Sequence, residues 1–315
     1  MASGADIRGQ NDKSQDKSPK DQDANDRTSA AGEQTSGAGE VQYGGDNNGV
    51  LGEGELVKAA QLIAGSRYCV VLTGAGISTE SGIPDFRSPG TGLWSRVDPV
   101  RVLSATAFEE RPEEFYRFVM DLCEPLAGAE PNDAHRALAE LERLGYVKAV
   151  ITQNIDGLHQ KAGSRRVLEV HGNARTGTCT GCGLSLSMED ILARARSGEV
   201  PPRCEACGWP LKPDIVLFED PLPDDFLYAQ REVRDSDLLL IIGSSLEVAP
   251  ACYLPSMAQR IIIINLQPTP YDARADVVIR GRAGETMKRL VKLVLISTKM
   301  EKPQAENPYR EGKSL

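Results

Sequence analysis

The sequence predicts an α/β protein built on a parallel sheet with helices on both faces. Three observations lead to this fold. Short apolar runs alternate with amphipathic segments from about residue 55 to residue 296, as expected when helices cover both faces of a parallel sheet. A glycine-rich loop follows the first apolar run, as in Rossmann-like folds. Two CxxC pairs interrupt the alternation between residues 174 and 212, which predicts a small inserted zinc-ribbon module.

Composition sets the broad class. The chain has 315 residues, of which 40% are hydrophobic and 26% are charged, so a sizeable core is expected. The net charge of −9 argues against a general nucleic-acid-binding surface. No apolar run approaches the ~18 residues of a membrane-spanning helix, and the start of the chain has neither a secretory nor a myristoylation pattern. We expect a cytoplasmic protein with no membrane partner and no direct nucleic-acid binding.

Two tails are expected to flank the folded part. Residues 1–50 contain five large apolar side chains, nine acids and five bases. Such a segment cannot bury enough surface to offset the entropy of ordering, so we predict a disordered N-terminal tail. Residues 299–315 are polar, contain two prolines, and are predicted to form a flexible C-terminal tail.

The elements between the tails follow from hydrophobic spacing. Helices are predicted where apolar residues recur every three or four positions, over 55–64, 112–122, 133–144 and 284–296. The third has Asn132 or Asp133 as its cap and Gly145 as its stop. Strands of the parallel sheet are predicted where short apolar runs occur, over 68–72, 147–152, 167–170, 214–218, 238–242 and 261–265.

The cysteines predict a metal site. Seven cysteines scattered over a chain of this length do not form a disulfide framework. Each CxxC places two thiolates on one turn, and two such turns make a tetrahedral zinc site with no open position for water, so the zinc is expected to be structural. Its ligands are Cys179, Cys182, Cys204 and Cys207. Free or redox cysteines and a nucleic-acid-binding zinc ribbon are the alternatives; the acidic charge argues against the latter.

The loop after the first strand is a candidate phosphate site. Residues 74–78 place a glycine pair between a strand and a predicted helix start, which brings backbone N–H groups to a pyrophosphate. Thr79 stands at the third glycine position of the dinucleotide-binding fingerprint, so an ordinary tight turn stays open. The continuation carries an acid, an aromatic and an arginine, Asp85, Phe86 and Arg87, which is unusual for a simple connector.

Polar residues follow three further strands. In open α/β sheets, ligands bind outside the carboxyl ends of strands. Residues 153–156 could hold an amide, a ribose or a water there, while residues 243–245 and Asn265 suit a ribose and a phosphate. Side chains that merely close turns are the alternative at 153–156.

Histidine chemistry has three candidates. His171 follows a predicted strand and precedes Gly172, so it is a candidate general base, with a structural role equally open. His135 lies inside an amphipathic helix and is expected to be packed or on the surface. His159 is expected to orient its loop.

Together these segments resemble the sirtuin family of NAD-dependent protein deacylases over residues 55–296. The motifs that carry the resemblance are five segments in order: 74–78 with 82–87, 152–156, 171–172, the four paired cysteines, and 243–246. The resemblance implies a catalytic domain over 51–298, with Rossmann-like parts at 51–173 and 213–298 and a zinc module at 174–212. Substrates would lie in the cleft between the two parts.

The resemblance also implies the site residues, with NAD as co-substrate and one structural zinc ion. His171, Asn154 and Asp156 would be catalytic. NAD would contact Gly74, Ala75, Gly76, Thr79, Asp85, Phe86, Arg87, Gln153, Asn154, Ile155, Asp156, Gly243, Ser244, Ser245, Asn265, Leu266 and Ala283. An acyl-lysine peptide would add as a strand to exposed backbone near Val216, Phe218, Glu247 and Val248.

The reaction implied by the resemblance transfers the acyl group to ADP-ribose. The acyl oxygen attacks C1′ of the nicotinamide ribose and nicotinamide leaves. A histidine, which maps onto His171, then activates a ribose hydroxyl, and water yields lysine and O-acyl-ADP-ribose. An ADP-ribosyltransferase or NAD glycohydrolase on the same fold is the alternative enzyme, and a zinc-ribbon binding protein with a vestigial NAD pocket is the alternative from another class.

Two departures from the family pattern bear on substrate choice. Residues 218–220 read Phe-Glu-Asp where the family usually has Phe-Gly-Glu. If that glycine has a positive φ, Glu219 costs about 1 kcal/mol or bends the loop, and its carboxylate could favour substrates with basic neighbours. Val119 and Leu122 stand where relatives that prefer succinyl or malonyl groups carry Tyr and Arg. An acidic acyl group would be left unpaired there, so an apolar acyl group is expected.

Overall fold

The computed structural model describes residues 52–85 and 98–301. The expected N-terminal tail, the candidate residues Phe86 and Arg87, and residues 302–315 lie outside the described residues. The strands are β1 (Cys69–Thr73), β2 (Val147–Thr152), β3 (Val167–Glu169), β4 (Gly172–Cys179), β5 (Ser185–Ser187), β6 (Leu211–Ile215), β7 (Leu238–Ile242), β8 (Ile261–Ile264) and β9 (Val277–Ile279). The α-helices are α1 (Glu53–Gly65), α2 (Pro99–Val102), α3 (Ala105–Glu110), α4 (Pro112–Cys123), α5 (Asp133–Arg143), α6 (Leu158–Lys161), α7 (Met188–Arg196), α8 (Asp224–Asp235) and α9 (Ala283–Glu301).

Six strands form the predicted parallel sheet, in the order β3-β2-β1-β7-β8-β9. Its central strands β1 and β7 are buried at every position, because aliphatic runs can be covered on both faces. On one face lie α1, α5 and α9, through residues such as Leu56, Leu138 and Leu290. On the other face lie α8 and a 3₁₀ helix at Ala251–Met257. The Rossmann-like fold class is therefore confirmed.

The predicted parallel strand at 214–218 is wrong. The strand in this region is β6, which ends at Ile215 and pairs antiparallel with β4 in a separate sheet of order β5-β4-β6. Burial in β6 alternates residue by residue, as in a strand with one open face. The edge strand β9 and the helices α2, α3 and α8 were not predicted. In α8 the apolar residues Leu227 and Tyr228 are exposed, so they obscure the helical spacing of the buried apolar residues in the sequence.

The caps explain the helix ends. Asn132 caps α5 through its side chain, and Gly145, with φ 84°, follows the helix as expected. Helix α9 continues past the predicted end at 296 to Glu301, and so includes the first residues of the expected C-terminal tail. Thr298 holds this extension, because its hydroxyl bonds Tyr146 Oη at 2.6 Å and the Val294 carbonyl at 3.0 Å. No helix among the described residues has the length and apolarity needed to cross a membrane.

The small sheet shares a core with α3 and α4. Phe115 and Tyr116 of α4 are fully buried together with Ile191 and Leu211 of the inserted segment, and Tyr116 Oη donates a hydrogen bond to the Leu211 carbonyl. We call this cluster the module core. It extends the packing unit of the inserted segment beyond the predicted 174–212, since β4 begins at Gly172 and β6 ends at Ile215.

Candidate active site

The switch point of the sheet lies between β1 and β7, where the strand order reverses. The loops after these strands are in direct contact, since Gly76 N donates to the Gly243 carbonyl at 2.8 Å. A Cβ on Gly76 would lie 2.8 Å from Gly243 Cα, so this close approach requires glycine. The expected helix start is absent from this described loop: two 3₁₀ turns, Ala75–Ile77 and Thr79–Ser81, follow instead. A phosphate here would meet the N–H groups of tight turns.

Ser78 joins the β1 loop to the β2 loop. Its hydroxyl donates to Asp156 Oδ2 at 2.7 Å and accepts from Asn154 Nδ2 at 3.1 Å. Asn154 Nδ2 also donates to the Gly74 carbonyl at 3.2 Å, and Asp156 Oδ1 accepts from Leu158 N at 2.9 Å. Burial raises the pKa of Asp156, and these hydrogen bonds act in the opposite direction. The structure thus brings the predicted residues of both loops together.

Gln153 links the ends of three strands. Its Nε2 donates to Ser244 Oγ at 3.0 Å and to the Thr73 carbonyl at 3.3 Å. Its own carbonyl lies 3.1 Å from His171 Nδ1. The candidate residues after β1, β2 and β7 therefore form one connected edge, to which His171 is attached.

The His171 ring is held in one tautomer. A carbonyl oxygen can only accept, so Nδ1 carries the proton toward Gln153 and Nε2 keeps a lone pair. Burial lowers the pKa of His171, partly offset by this hydrogen bond, so the ring is neutral near pH 7. Behind it, Gly172 has φ 74°, and a Cβ there would lie 2.1 Å from the Asp214 carbonyl. Only glycine lets the chain turn from His171 into β4.

A partly open pocket lies beside this network. Its accessible wall is apolar, and the Asn154 amide and the Asp156 carboxylate lie behind that wall in their hydrogen bonds to Ser78. The lining residues are Ala75, Ser78, Ile83, Pro84, Leu122, Pro125, Leu126, Asn154, Ile155 and Asp156. Such a wall suits a flat ring that carries an amide. Pro125 and Leu126 were missed by sequence reasoning, because nothing in their local pattern indicates a ligand.

The remaining candidate residues lie farther out on the same edge. Thr79 is exposed and bonds the Gly76 carbonyl at 3.0 Å, and Asn265 Nδ2 bonds the Gln267 carbonyl at 2.9 Å after β8. Leu266 is 60% exposed, whereas Ala283 is buried at the start of α9. Asp85 and Ser245 are half-buried. These positions are compatible with an extended ligand.

The substrate side differs from the expectation. The Phe218 backbone is not open, because its N–H donates to the Leu103 carbonyl and its carbonyl accepts from Ala105 N, both at 3.0 Å. Val216 N donates to the His171 carbonyl at 2.9 Å. Within the described residues, the Val216 carbonyl and the Glu219 N–H make no backbone hydrogen bond. Across the cleft edge, Glu247 is exposed and Val248 is half-buried.

Glu219 has φ 76°, so the condition under which this position carries a backbone cost is met. An L-residue pays about 1 kcal/mol for this conformation. The Glu219 side chain stabilises this backbone conformation, because its Oε2 accepts hydrogen bonds from both Thr106 N and Thr106 Oγ1, at 2.9 and 2.8 Å.

The four paired cysteines form a cluster in which every Sγ lies within 4.8 Å of the others. Cys179 and Cys207 Sγ are 3.3 Å apart, and Cys182 and Cys204 Sγ are 3.7 Å apart, close to the ~3.8 Å edge of a tetrahedron with Zn–S of about 2.3 Å. The N–H groups of Cys182 and Gly181 point at Cys179 Sγ and lower the pKa of that thiol to about 6. The donor set fits a structural zinc ion.

Comparison with known proteins decides the family. A model of the Sir2 family matches residues 74–250. The chain belongs to the Sir2 family. It is 54% identical over 237 residues to the NAD-dependent protein deacetylase 2 of Caldanaerobacter subterraneus subsp. tengcongensis, covering 75% of this chain and 95% of that relative. The predicted resemblance to the sirtuins is therefore confirmed.

Solved Sir2 structures share the fold and show what their proteins bind. A Sir2 protein with a deacetylated p53 peptide and 3′-O-acetyl-ADP-ribose superposes with a TM-score of 0.72 at 39% identity, covering 75% of this chain and 96% of that one. A Sir2 protein with a p53 peptide and NAD⁺ gives a TM-score of 0.70 at 39% identity, covering 76% and 98%. These matches support the predicted NAD-dependent deacylase class. The roles of individual residues stay predictions.

Beneath the Sir2 site lies a buried histidine pair that sequence reasoning did not connect to it. His135 and His159 pack edge to face with ring centroids 4.9 Å apart and are at most 1% exposed. His135 Nε2 lies 3.5 Å from Ser78 Oγ, and His159 Nε2 lies 2.9 Å from Thr73 Oγ1. His135 is packed, as one of the two expectations had it, and His159 holds the end of β1.

This pair predicts acid sensitivity of the fold. Burial lowers the pKa of His135 to about 4 and of His159 to about 3, from 6.5. The unfolded chain therefore binds protons that the fold excludes, so stability is full above pH 6.5 and falls as the pH drops toward 4. Each histidine contributes a slope of about 1.4 kcal/mol per pH unit. Urea unfolding between pH 5 and 7 should show this slope, and His135→Gln should reduce it. An unchanged slope in that variant contradicts the assignment.

Proposed function

We propose that this site removes acetyl or similar apolar acyl groups from protein lysines, with His171 as general base. The observation that carries the proposal is the His171 ring, neutral and fixed by the Gln153 carbonyl with its Nε2 lone pair available. NAD supplies the ADP-ribose that accepts the acyl group and the nicotinamide that leaves. The products are nicotinamide, O-acyl-ADP-ribose and free lysine.

The chain's own residues bind and orient the reactants. Asn154 and Asp156, held by Ser78, lie behind the apolar pocket wall, where their amide and carboxylate would orient a nicotinamide ring and its ribose. Gln153 and Ser244 hold the ends of β2 and β7 together beneath the bound ligand. The N–H groups of Gly76, Ile77 and Ser78 already bond carbonyls of the same loops, so those of Ala75 and Thr79 are the candidate phosphate donors.

Proton transfer is assigned to His171, and exclusion of water is assigned to the apolar wall of the pocket. Nε2 of His171 takes the proton of a ribose hydroxyl, since a neutral imidazole is the base available near pH 7. The apolar wall from Ile83, Pro84 and Ile155 keeps water from the carbon at which the glycosidic bond breaks.

The substrate peptide lies as a strand in the cleft. The Val216 carbonyl and the Glu219 N–H are its main-chain partners on one side, and Glu247 and Val248 flank it on the other. Because most of the affinity comes from main-chain hydrogen bonds, many lysine sites should be accepted. A cytoplasmic location is part of the proposal, and none of the seven described cysteines forms a disulfide, as expected in a reducing compartment.

Acyl choice gives a testable prediction. Val119 is fully buried, Leu122 lines the pocket, and none of the described lining residues is a cation. Acetyl-lysine peptides should therefore be turned over at least about tenfold faster than succinyl-lysine peptides, because an unpaired carboxylate is costly to bury. Matched peptides assayed by kcat/KM test this, with Leu122→Met as control and Leu122→Arg expected to narrow the ratio. Faster succinyl turnover by the wild type contradicts the prediction.

Mass-spectrometric product analysis tests the function itself. An acetyl-lysine peptide incubated with NAD should lose its acetyl group and yield O-acetyl-ADP-ribose in equal amount. Nicotinamide release with the acetyl group retained would instead indicate ADP-ribosyl transfer or NAD hydrolysis, which use the same NAD site.

A further inference from the structure

The substrate-side segment 216–220 is attached to α3 by main-chain hydrogen bonds. Phe218 pairs with Ser104 as a parallel bridge, through bonds to Leu103 and Ala105. Ser104 is also the N-cap of α3, because its hydroxyl accepts from Ala107 N at 3.1 Å. The start of α3 and the segment that faces the substrate therefore form one hydrogen-bonded unit.

Glu219 adds a side-chain attachment at the same place. Its Oε2 receives two hydrogen bonds from Thr106, the second residue of α3, at 2.9 and 2.8 Å. These bonds lower the pKa of Glu219, so it is ionised at neutral pH. A glycine, the usual residue of the family pattern here, has no side chain to make this attachment.

Asp220 fastens the other end of the segment. Its Oδ2 accepts from Leu217 N at 2.9 Å and from Lys212 Nζ at 2.7 Å. Between these two attachments the Glu219 peptide plane, in its left-handed conformation, is fixed in direction. The Glu219 N–H is left without a backbone partner among the described residues.

We propose that Glu219 is a positioning residue for the acyl-peptide backbone. The Glu219 N–H, to which the substrate strand bonds, shares a peptide plane with the Phe218 carbonyl that Ala105 N holds, and the carboxylate bound to Thr106 is a second restraint on its direction. The inference rests on the proposed function, and it assigns Glu219 a role in affinity for all peptides. A direct contact with basic substrate residues would instead make the effect depend on peptide charge.

The test compares peptide KM and kcat for four single variants and one double variant of the full chain. Glu219→Gly removes the carboxylate while keeping a residue that adopts positive φ without strain. Glu219→Gln keeps one acceptor oxygen, Thr106→Val removes one donor, and Glu110→Ala is the control at another exposed acid of α3. Each is assayed with saturating NAD and acetyl-lysine peptides that have acidic, neutral or basic neighbours, and thermal unfolding checks folding.

Glu219→Gly should raise KM about threefold to tenfold for all three peptides, the range that one net hydrogen bond gives, with kcat within twofold. The KM values of Glu219→Gln and Thr106→Val should lie between those of wild type and Glu219→Gly. The KM of Glu110→Ala should match that of wild type. The double variant Glu219→Gly with Thr106→Val should have a KM no higher than that of Glu219→Gly. An unchanged or lower KM in Glu219→Gly overturns the inference, as does a loss confined to basic peptides. A wild type that removes no acetyl group from any peptide overturns the proposed function as well.

Discussion

Replacing His171 by alanine should lower acetyl-lysine turnover by about 10²- to 10⁴-fold, the usual contribution of a general base. The loss should appear in kcat, because His171 touches the rest of the site through the Gln153 carbonyl alone among the described contacts of its ring. NAD affinity, measured by calorimetry, should change less than threefold. His171→Gln retains a donor for Gln153 but has no basic nitrogen, so it should be as inactive as His171→Ala.

The pH profile gives a second check on the same residue. Burial lowers the pKa of His171 below its ordinary 6.5, and protonation destroys the base. The acid limb of kcat/KM, which reports the free enzyme, should therefore lie below pH 6.5, with activity full above it and lost as the pH falls through the folded-state pKa. Turnover within tenfold of wild type in His171→Ala, or an acid limb above pH 6.5, would exclude His171 as the base.

Most of the fold could be predicted from the sequence, because the strands of the large sheet are continuous aliphatic runs. β2 and β7 have the predicted bounds, β3 and β8 end one residue earlier than predicted, and β1 is shifted by one residue at both ends. It failed at 214–218, where an apolar run leaves β6 after Ile215 and turns toward α3. Hydrophobic periodicity indicates which residues are buried. Burial alone does not distinguish a strand of the parallel sheet from a segment that connects two separately packed parts of the chain.

The candidate site was predictable to the extent that it uses loops at strand ends. Residues after β1, β2 and β7 could be placed at one edge from topology, and the structure connects them through Ser78 and Gln153. The buried pair of His135 and His159 could not be assigned, because α5 and α6 meet only in the tertiary structure. Likewise, nothing in the sequence indicates that Glu219 reaches Thr106, 113 positions away.

Loss of the zinc ligands should abolish deacetylation even though the cysteine cluster is remote from the proton transfer. The inserted segment holds His171 and one side of the proposed substrate cleft in place, since β4 begins directly after His171 and β6 leads into Val216. A three-stranded sheet with one short helix has little stability of its own, and binding of a structural zinc ion is folding free energy. Without the metal, the module core is stabilised only by its packing against α3 and α4.

Cys204→Ala, at a buried ligand position, should therefore reduce zinc content from one ion per chain to none and lower kcat/KM by at least about 10²-fold. Cys69→Ala is the matched control, since Cys69 is equally buried but lies in β1 at the far end of the sheet from the site. That variant should keep its zinc and its turnover, measured by elemental analysis and peptide assay. Full activity in zinc-free Cys204→Ala would contradict a structural role, because the segment that carries Val216 and Glu219 would then hold its position unaided.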